Sequence, residues 1–182
     1  MPNVLVPLAE GFEEIEAVTI IDILRRAGAD VVVAGLNRDS VKGSHGITVE
    51  TDARLNSVDA DQFDMIVLPG GMPGAENLTK SNEVLQAVRR LGDTSKFTAA
   101  VCAAPLVLEE AGVLAGRTVT SHPNQARFIS SAHHTGTRVE TDEKVITGQA
   151  AGSAMEFAFK LVEVLFGKEK VQEVNRTVLA QL

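Results

Sequence analysis

Residues 97–112 read F-T-A-A-V-C-A-A-P-L-V-L-E-E-A-G, and this stretch decides the fold. Phe97–Val101 is uncharged and mostly small or apolar, which predicts a short buried strand. Pro105–Ala111 predicts a helix, because a proline in the first turn lacks only an N–H that would have no partner within the helix. Cys102, the one cysteine of the chain, therefore lies on a turn between a strand and a helix.

The turn around Cys102 has the spacing of a nucleophile elbow. In the elbow motif G-x-S-x-G, glycines stand two residues either side of the nucleophile because the turn is tight. Ala100 and Ala104 occupy those places here, and alanine is the next smallest residue. A lone cysteine between alanines is, however, often a small buried hydrophobic residue. The elbow alone leaves both interpretations open.

Length and composition indicate an ordinary globular protein. We expect the 182 residues to form a single domain over 1–182, and 45% of them are hydrophobic and 23% charged. The net charge is −7 and no basic run occurs, so nucleic acid is an unlikely partner and no membrane contact is expected. Neither Trp nor Tyr is present to stack on single-stranded nucleic acid.

The N-terminus and the single cysteine predict a cytoplasmic protein. Met1-Pro2-Asn3 has no basic region or signal-like apolar stretch, and no apolar run approaches the roughly 20 residues of a membrane helix. One cysteine excludes an internal disulfide framework and fits a reducing compartment.

Buried strands and amphipathic helices alternate along the chain, which predicts an α/β fold with a doubly wound, mostly parallel sheet in a three-layer α/β/α sandwich. Besides the elbow strand, the predicted strands are 4–8, 30–36, 65–68 and 118–121. Besides the elbow helix, the predicted helices are 13–27, 83–91, 124–131, 154–166 and 168–179. Residues 41–52 predict a hairpin or an exposed extended excursion, and 137–141 with 144–147 predict a polar hairpin.

Chemically capable residues follow several of these strands. Ligands of open parallel sheets bind beyond the carboxyl ends of the strands. Residues after strand ends, in chain order, are Gly11, Glu13, Glu14, Glu16, Gly70, Gly71, Cys102 and His122. A thiol, carboxylates, a glycine pair and an imidazole are therefore expected at one edge of the sheet.

Each of these groups also has a structural explanation. Glu13 and Glu14 fit carboxylates that favour the positive end of a helix dipole, and Glu16 alone would be taken as solvated. The glycine pair could form a turn only, or free its amides to bind an oxyanion. His122 could be a strand-end histidine without a role. His45, His133 and His134 are expected in solvent-facing loops, and we find no metal-ligand spacing.

Seven segments together resemble the ThiJ/PfpI superfamily, in its Parkinsonism-linked, DJ-one-like branch. They are G-F-E-E-I-E-A-V, L-R-R-A-G, V-A-G-L, V-L-P-G-G, A-A-V-C-A-A-P, T-S-H-P and M-E-F-A, and they span nearly the whole chain. The resemblance implies a flavodoxin-like sandwich, a homodimer without a cofactor, and a bacterial member of the branch.

The resemblance also implies roles for residues of the predicted edge. Cys102 becomes the reactive nucleophile, easily oxidised to a sulfinate, and Glu16 a protonated carboxyl that hydrogen-bonds the thiolate. The amides of Gly70, Gly71 and Ala103 surround an incoming oxygen, and His122 lies close by. In the peptidase branch a histidine directly follows the cysteine; Ala103 stands there, which argues against peptidase activity.

Three places in the chain depart from the pattern expected of relatives. His45 and Gln149 stand where arginine is common, so anionic groups should bind more weakly here. Residues 150–152 read A-A-G in place of G-P-G, so a different loop shape is expected before the long helix.

Physical chemistry limits how far the elbow can activate the thiol. A free cysteine has a pKa of about 8.5, and a helix N-terminus contributing up to about 2 kcal/mol would lower it to about 7. A lower pKa needs a hydrogen bond from protonated Glu16, whereas an ionised Glu16 would raise it. The two groups must share a proton.

Three functions fit this sequence. The first is a glyoxalase or protein deglycase acting on small dicarbonyls or on glycated protein, with Cys102 attacking the aldehyde and Glu16 moving protons. The second is a redox sensor or stress chaperone that works through oxidation of Cys102. The third, amidotransferase-like hydrolysis, is weakened by Ala103. We further predict a positive φ at Cys102 and a homodimer interface that includes residues 13–27 and 45–51.

Overall fold

The computed structural model describes residues 1–181, and a seven-stranded sheet lies at its centre. The strands are β1 (Asn3–Leu8), β2 (Asp30–Gly35), β3 (Ser40–Lys42), β4 (Thr48–Glu50), β5 (Ala53–Arg54), β6 (Met65–Leu68), β7 (Phe97–Val101), β8 (Thr118–Val119), β9 (His133–His134), β10 (Val139–Asp142) and β11 (Val145–Gly148). The helices are α1 (Glu14–Arg26), α2 (Gly74–Thr79), α3 (Asn82–Asp93), α4 (Pro105–Ala111), α5 (Pro123–Ala126), α6 (Ala154–Phe166) and α7 (Lys168–Val178). Short 3₁₀ turns occur at Leu55–Ser57, Ala60–Gln62 and Ala151–Ser153.

The strand order is β10-β11-β7-β6-β1-β2-β5. All neighbouring pairs are parallel except β10 with β11. Helices cover both faces of this sheet, so the predicted doubly wound α/β/α sandwich is confirmed.

Alternating side chains of the central strands feed two hydrophobic cores, as expected for a sheet buried on both faces. On β6, for example, Met65 and Val67 join the core beneath α1 and α6. Ile66 and Leu68 join the core beneath α3 and α4. The continuous apolar runs of β1, β6 and β7 thus have a direct structural cause.

The helices begin and end where local signals place them. Glu13 caps α1 by accepting a hydrogen bond from the N–H of Ile15, and Arg25 and Arg26 lie in the last turn. Proline opens α4 as expected, and Gly112 follows it in the left-handed conformation. None of the helices of residues 1–181 is long and apolar enough to cross a membrane.

The predicted strand 118–121 does not belong to the main sheet, and that prediction was wrong. Its ordered part, β8, pairs only with β9 in a separate two-stranded sheet. The place beside β7 is taken by β11, whose residues are all buried. The predicted polar hairpin at 137–147 is therefore a hairpin, but one of its strands is part of the core.

Smaller differences concern short elements. The hairpin predicted within 41–52 is confirmed as the antiparallel pair β3 and β4. The predicted helix 124–131 contracts to α5, and α2 was not predicted. His133 and His134 form β9 instead of lying in a loop, and His134 is half-buried.

Candidate active site

Cys102 directly follows β7 and has a φ of 63°, so the predicted positive φ is confirmed. Its N–H donates to the carbonyl of Gly148 at 3.0 Å, and its own carbonyl accepts from the N–H of His122 at 2.8 Å. The thiol side chain is half-buried. The turn therefore aims the sulfur out of the sheet edge while the backbone on either side stays anchored.

Glu16 lies in the first turn of α1 and is fully buried. One oxygen, Oε2, accepts a hydrogen bond from the N–H of Gly70 at 2.8 Å. The other, Oε1, has no hydrogen-bond partner within the described chain. A buried oxygen of this kind is costly unless it carries or receives a proton. The thiol of Cys102 is the neighbouring group with which Glu16 can exchange one.

Gly70 lies between these two side chains. A Cβ built at Gly70 would be 2.7 Å from Oε2 of Glu16 and 2.8 Å from Cβ of Cys102. These distances are well below van der Waals contact, so only glycine lets the carboxyl and the thiol approach each other across this backbone.

We expect Gly70→Ala to lower the free energy of unfolding by about 1–3 kcal/mol, since the added methyl must displace Glu16 or Cys102. Alkylation of Cys102 by iodoacetamide should slow at the same time. Chemical denaturation and mass spectrometry measure the two effects. Gly152→Ala is the matched control, because a Cβ there meets open space. Equal stability and equal alkylation of the two variants would contradict the close packing.

Backbone amides surround the thiol. Burial is the largest influence on the pKa of Cys102 and raises it, and the negative charge of Glu16 raises it further. Hydrogen bonds from the N–H groups of Gly71 and Ala103 lower the pKa of Cys102. Burial and the Glu16 charge outweigh the amides, so the pKa of the thiol lies above its ordinary value, in the direction expected beside an ionised Glu16.

Burial likewise raises the pKa of Glu16, to about 7, and the charge of Glu13 adds to the effect. Hydrogen bonds from the N–H of Gly70 and from the thiol of Cys102 lower the pKa of Glu16. Burial thus disfavours ionisation of both groups, and the charge of Glu16 further disfavours ionisation of the thiol. They hold one proton between them near neutral pH, and their titrations are coupled.

His122 reaches this region through its backbone. Its N–H binds the carbonyl of Cys102, while Nδ1 of its ring accepts a hydrogen bond from the N–H of Asn124 at 3.2 Å and caps α5. Since β8 lies outside the main sheet, the predicted reason for its position was wrong although it adjoins the cysteine. A catalytic role for its ring stays a prediction.

Glu14 has a different environment from the one predicted. It is buried, with 5% of its surface exposed, and accepts hydrogen bonds from the loop between β3 and β4. The helix-dipole interpretation of Glu14 was therefore incomplete. Its partners are about thirty residues away along the chain, so no local pattern could have indicated them.

His45 is solvent-exposed as predicted, but its ring is paired. Nδ1 lies 3.0 Å from Oε2 of Glu14 and 3.4 Å from Oε2 of Glu13. Ligand atoms of the three side chains lie within 4.8 Å of one another, a grouping that sequence spacing did not reveal. The ion pair accounts for this arrangement.

Two further polar contacts were not predicted. Oγ of buried Ser121 lies 2.9 Å from Nε2 of His134. Gln149 donates from Nε2 to the carbonyl of Gly136 at 2.8 Å. The adjacent loop is held by Arg138, which binds Glu156 and the carbonyl of Gly152. These contacts involve side chains of the segments 121–138 and 149–156, and local sequence patterns did not indicate them.

Comparison with known proteins places this arrangement in a family. The model of the DJ-1/PfpI family matches residues 2–164. Protein dj-1beta of Drosophila melanogaster is 41% identical over 180 residues, covering 97% of this chain and 96% of that protein. The glutathione-independent glyoxalase DJR-1.2 of Caenorhabditis elegans is 31% identical over 166 residues. The match covers 91% of this chain and 89% of that protein.

Two plant relatives are longer than this chain. Protein DJ-1 homolog A and homolog B of Arabidopsis thaliana are 39% and 38% identical over 180 residues, and the chain spans 46% and 41% of their lengths. All of these relatives are eukaryotic, so the predicted bacterial membership stays a prediction.

Solved structures agree closely with the fold. The crystal structure of Drosophila melanogaster DJ-1beta superposes with a TM-score of 0.96 at 40% identity and covers 100% of this chain and 99% of its own. Oxidised Toxoplasma gondii DJ-1 superposes with a TM-score of 0.96 at 38% identity and full coverage of both chains. The fold is thus flavodoxin-like, and the chain belongs to the DJ-1/PfpI family.

Proposed function

We propose that this protein is a cofactor-free enzyme that converts small reactive dicarbonyls to hydroxy acids, with Cys102 as nucleophile and Glu16 as general acid and base. The observation that carries the proposal is the fully buried Glu16 beside the elbow thiol, with one oxygen free of other partners. A carboxyl with a pKa of about 7 suits proton transfer in both directions at neutral pH.

The reaction on methylglyoxal begins with proton transfer from the thiol to Glu16. The sulfur of Cys102 attacks the aldehyde carbon, and the new alkoxide takes the proton back from Glu16, which gives a hemithioacetal. Glu16, ionised again, removes the proton from that carbon to give an enediolate. The hydroxyl proton on the attacked carbon passes to the neighbouring oxygen, and Glu16 returns its own proton to the adjacent carbon. The product is a lactoyl thioester.

Water completes the sequence by adding to the thioester. The carbon–sulfur bond breaks, the thiol is restored, and lactic acid leaves. The net reaction adds one water to methylglyoxal without an external oxidant or reductant. We propose that the N–H groups of Gly71 and Ala103, which lower the pKa of the Cys102 thiol, bind the oxygen of each tetrahedral intermediate. Gly70 is committed to Glu16 and contributes indirectly.

The name of the Caenorhabditis elegans relative supports this substrate class, since it describes a glyoxalase that does not depend on glutathione. Protein deglycation would reach the same hemithioacetal from an early methylglyoxal adduct: the bond from the aldehyde carbon to the protein amine or thiol breaks, that group leaves protonated, and the carbon becomes bonded to the sulfur of Cys102. Peptidase or amidotransferase-like activity would need a histidine directly after the cysteine, and Ala103 stands at that position. We propose a cytoplasmic setting, in which the lone cysteine stays reduced.

The test is lactate release from methylglyoxal without added glutathione. We expect saturable turnover with one lactate formed per methylglyoxal consumed. No turnover above the buffer rate would overturn the proposed activity.

A second candidate function is redox sensing through Cys102. The amides that would bind an oxyanion could also bind the oxygens of a sulfinate, formed by successive reaction of the thiolate with two equivalents of hydrogen peroxide. One of the similar solved structures is that of oxidised Toxoplasma gondii DJ-1. Peroxide-dependent holdase activity without dicarbonyl turnover would favour this function.

We also propose that the protein is a homodimer through α1 and β4. Ile15, Val18 and Ile47 are large apolar residues with 58%, 48% and 58% of their surfaces exposed, and they lie on or next to these two elements. Half-buried Val49 and Ile21 extend the apolar surface. A second copy of the chain is the occupant expected from the predicted interface.

Val18→Asp should convert the dimer to a monomer, because a carboxylate would be desolvated at the centre of this surface. Light scattering at micromolar concentration measures the change. The control is Phe128→Ser, which replaces an exposed aromatic residue outside these elements. A wild-type monomer, or a dimeric Val18→Asp variant, would contradict the assignment.

A further inference from the structure

The loop at the tip of the β3–β4 hairpin, residues 43–47, packs around one buried carboxylate, that of Glu14. Oε1 of Glu14 accepts from the N–H of His45 at 2.7 Å and from the N–H of Ile47 at 3.3 Å. Oε2 accepts from the hydroxyl of Ser44 at 3.3 Å and lies 3.0 Å from Nδ1 of the His45 ring. A Cβ at Gly43 would come within 2.4 Å of this carboxylate. The hairpin tip is shaped around Glu14.

The same hairpin touches the backbone just before α1. The N–H of Gly11 donates to the carbonyl of Lys42 at 2.8 Å, and the N–H of Ser44 donates to the carbonyl of Phe12 at 2.9 Å. On the opposite side, the N–H of Glu13 donates to the carbonyl of Gly70 at 2.9 Å. Residues 11–14 are therefore clamped between the hairpin tip and the glycine turn of the candidate active site.

The side chains of Glu14 and Glu16 project from opposite sides of α1. Two residues along an α-helix correspond to a rotation of about 200°. Glu14 consequently meets the hairpin tip while Glu16 meets Gly70 and Cys102. A shift of the first turn that loosened one contact would displace the other.

We propose that Glu14 is a positioning residue that fixes the first turn of α1 against the hairpin tip and thereby holds Glu16 in place beside Cys102. The inference rests on the proposed role of Glu16, but it concerns the reactivity of the thiol and not the identity of the substrate.

The carboxyl of Glu14 stays ionised at neutral pH, as this role requires. Burial would raise its pKa, but hydrogen bonds from the His45 side chain and from the N–H groups of Glu14, His45 and Ile47 lower it to about 2. The charged groups facing it are the His45 imidazole and, beyond that ring, the carboxylate of Glu13. The anchor therefore stays ionised wherever Glu16 and Cys102 exchange their proton.

The experiment compares three variants by alkylation of Cys102 with iodoacetamide and by kinetics with methylglyoxal. Glu14→Ala removes all four contacts, and we expect alkylation at pH 7 and kcat to fall about tenfold or more with KM little changed. Glu14→Gln keeps an oxygen for the two backbone N–H groups and should recover most of the loss. Light scattering on each variant detects any change in assembly.

Glu109→Ala is the matched control. Glu109 accepts hydrogen bonds from the N–H and hydroxyl groups of Ser130 and Ser131, away from the cysteine. We expect this variant to lose stability as Glu14→Ala does, with alkylation within about twofold of wild type. If Glu14→Ala resembles Glu109→Ala in alkylation and kcat, Glu14 is a stability residue only and the proposal fails.

A second variant covers the case in which Glu14→Ala does not fold. Replacing both Ser44 and His45 by alanine removes the two side-chain partners and leaves the carboxylate and its backbone contacts. We expect alkylation to slow by about twofold or more, and an unchanged rate would overturn the proposal. Slower alkylation in a protein that does not turn over methylglyoxal would refute the proposed enzyme and leave the positioning role standing.

Discussion

Cys102→Ser should reduce lactate formation from methylglyoxal by at least about a thousandfold, equivalent to roughly 4 kcal/mol of transition-state stabilisation. A serine hydroxyl remains protonated where the thiol can pass its proton to Glu16, so the carbon–sulfur intermediate has no counterpart. The substitution is nearly isosteric, and the half-buried position should tolerate it.

Steady-state lactate release measures the effect, with both proteins purified identically. The serine variant also reports contamination by other glyoxalases, because such activity would persist in it. Chemical denaturation should give midpoints close to wild type. Retention of a tenth or more of the wild-type activity in a folded variant would exclude covalent catalysis by Cys102.

Glu16→Gln should lower kcat by about 10²–10⁴-fold, the usual contribution of a general acid–base group. The pH dependence of alkylation should change with it. In the wild type Glu16 has a pKa of about 7 and can take the thiol proton once it is ionised, so we expect reactivity to rise as the pH increases through that value. In the variant Cys102 must ionise alone, and burial raises its pKa, so the rise moves to higher pH.

Glu13→Gln is the control for this prediction. The charge of Glu13 raises the pKa of Glu16, so its removal should move the same pH dependence slightly downward. Opposite displacements in the two variants identify Glu16 as the partner of the thiol. An unchanged profile and unchanged kcat in Glu16→Gln would reduce Glu16 to a buried carboxyl without a role in proton transfer.

The elbow was predictable because its signals are local. Phe97–Val101 and Pro105–Ala111 have the predicted bounds, and both are specified by residues within the segments themselves. The spacing of alanines about Cys102 indicated the positive φ for the same reason. The alternation of strands and helices likewise indicated the layers of the fold.

The error over the strand beside β7 has a long-range cause. The segments 118–121 and 145–148 are both short. Composition alone does not decide which of them becomes the strand beside β7 in the main sheet. The choice depends on pairing with β7, which lies far away along the chain. Sequence periodicity carries no information about such pairing.

The carboxylates at the start of α1 illustrate the same limit at the level of single residues. Glu14 and Glu16 are both buried, yet their sequence surroundings are those of exposed helix-start residues. Their partners are 31 and 54 residues away. Family resemblance pointed to Glu16, but nothing in the sequence distinguished Glu14 from Glu13.

The backbone conformation of Cys102 has a thermodynamic consequence. A side chain at a φ of 63° costs roughly 1–2 kcal/mol relative to ordinary conformations, a penalty that glycine avoids. A chain selected for stability alone would therefore favour glycine at this position. The thiol is retained at the expense of folding free energy, which is the trade-off expected where a residue is kept for its reactivity.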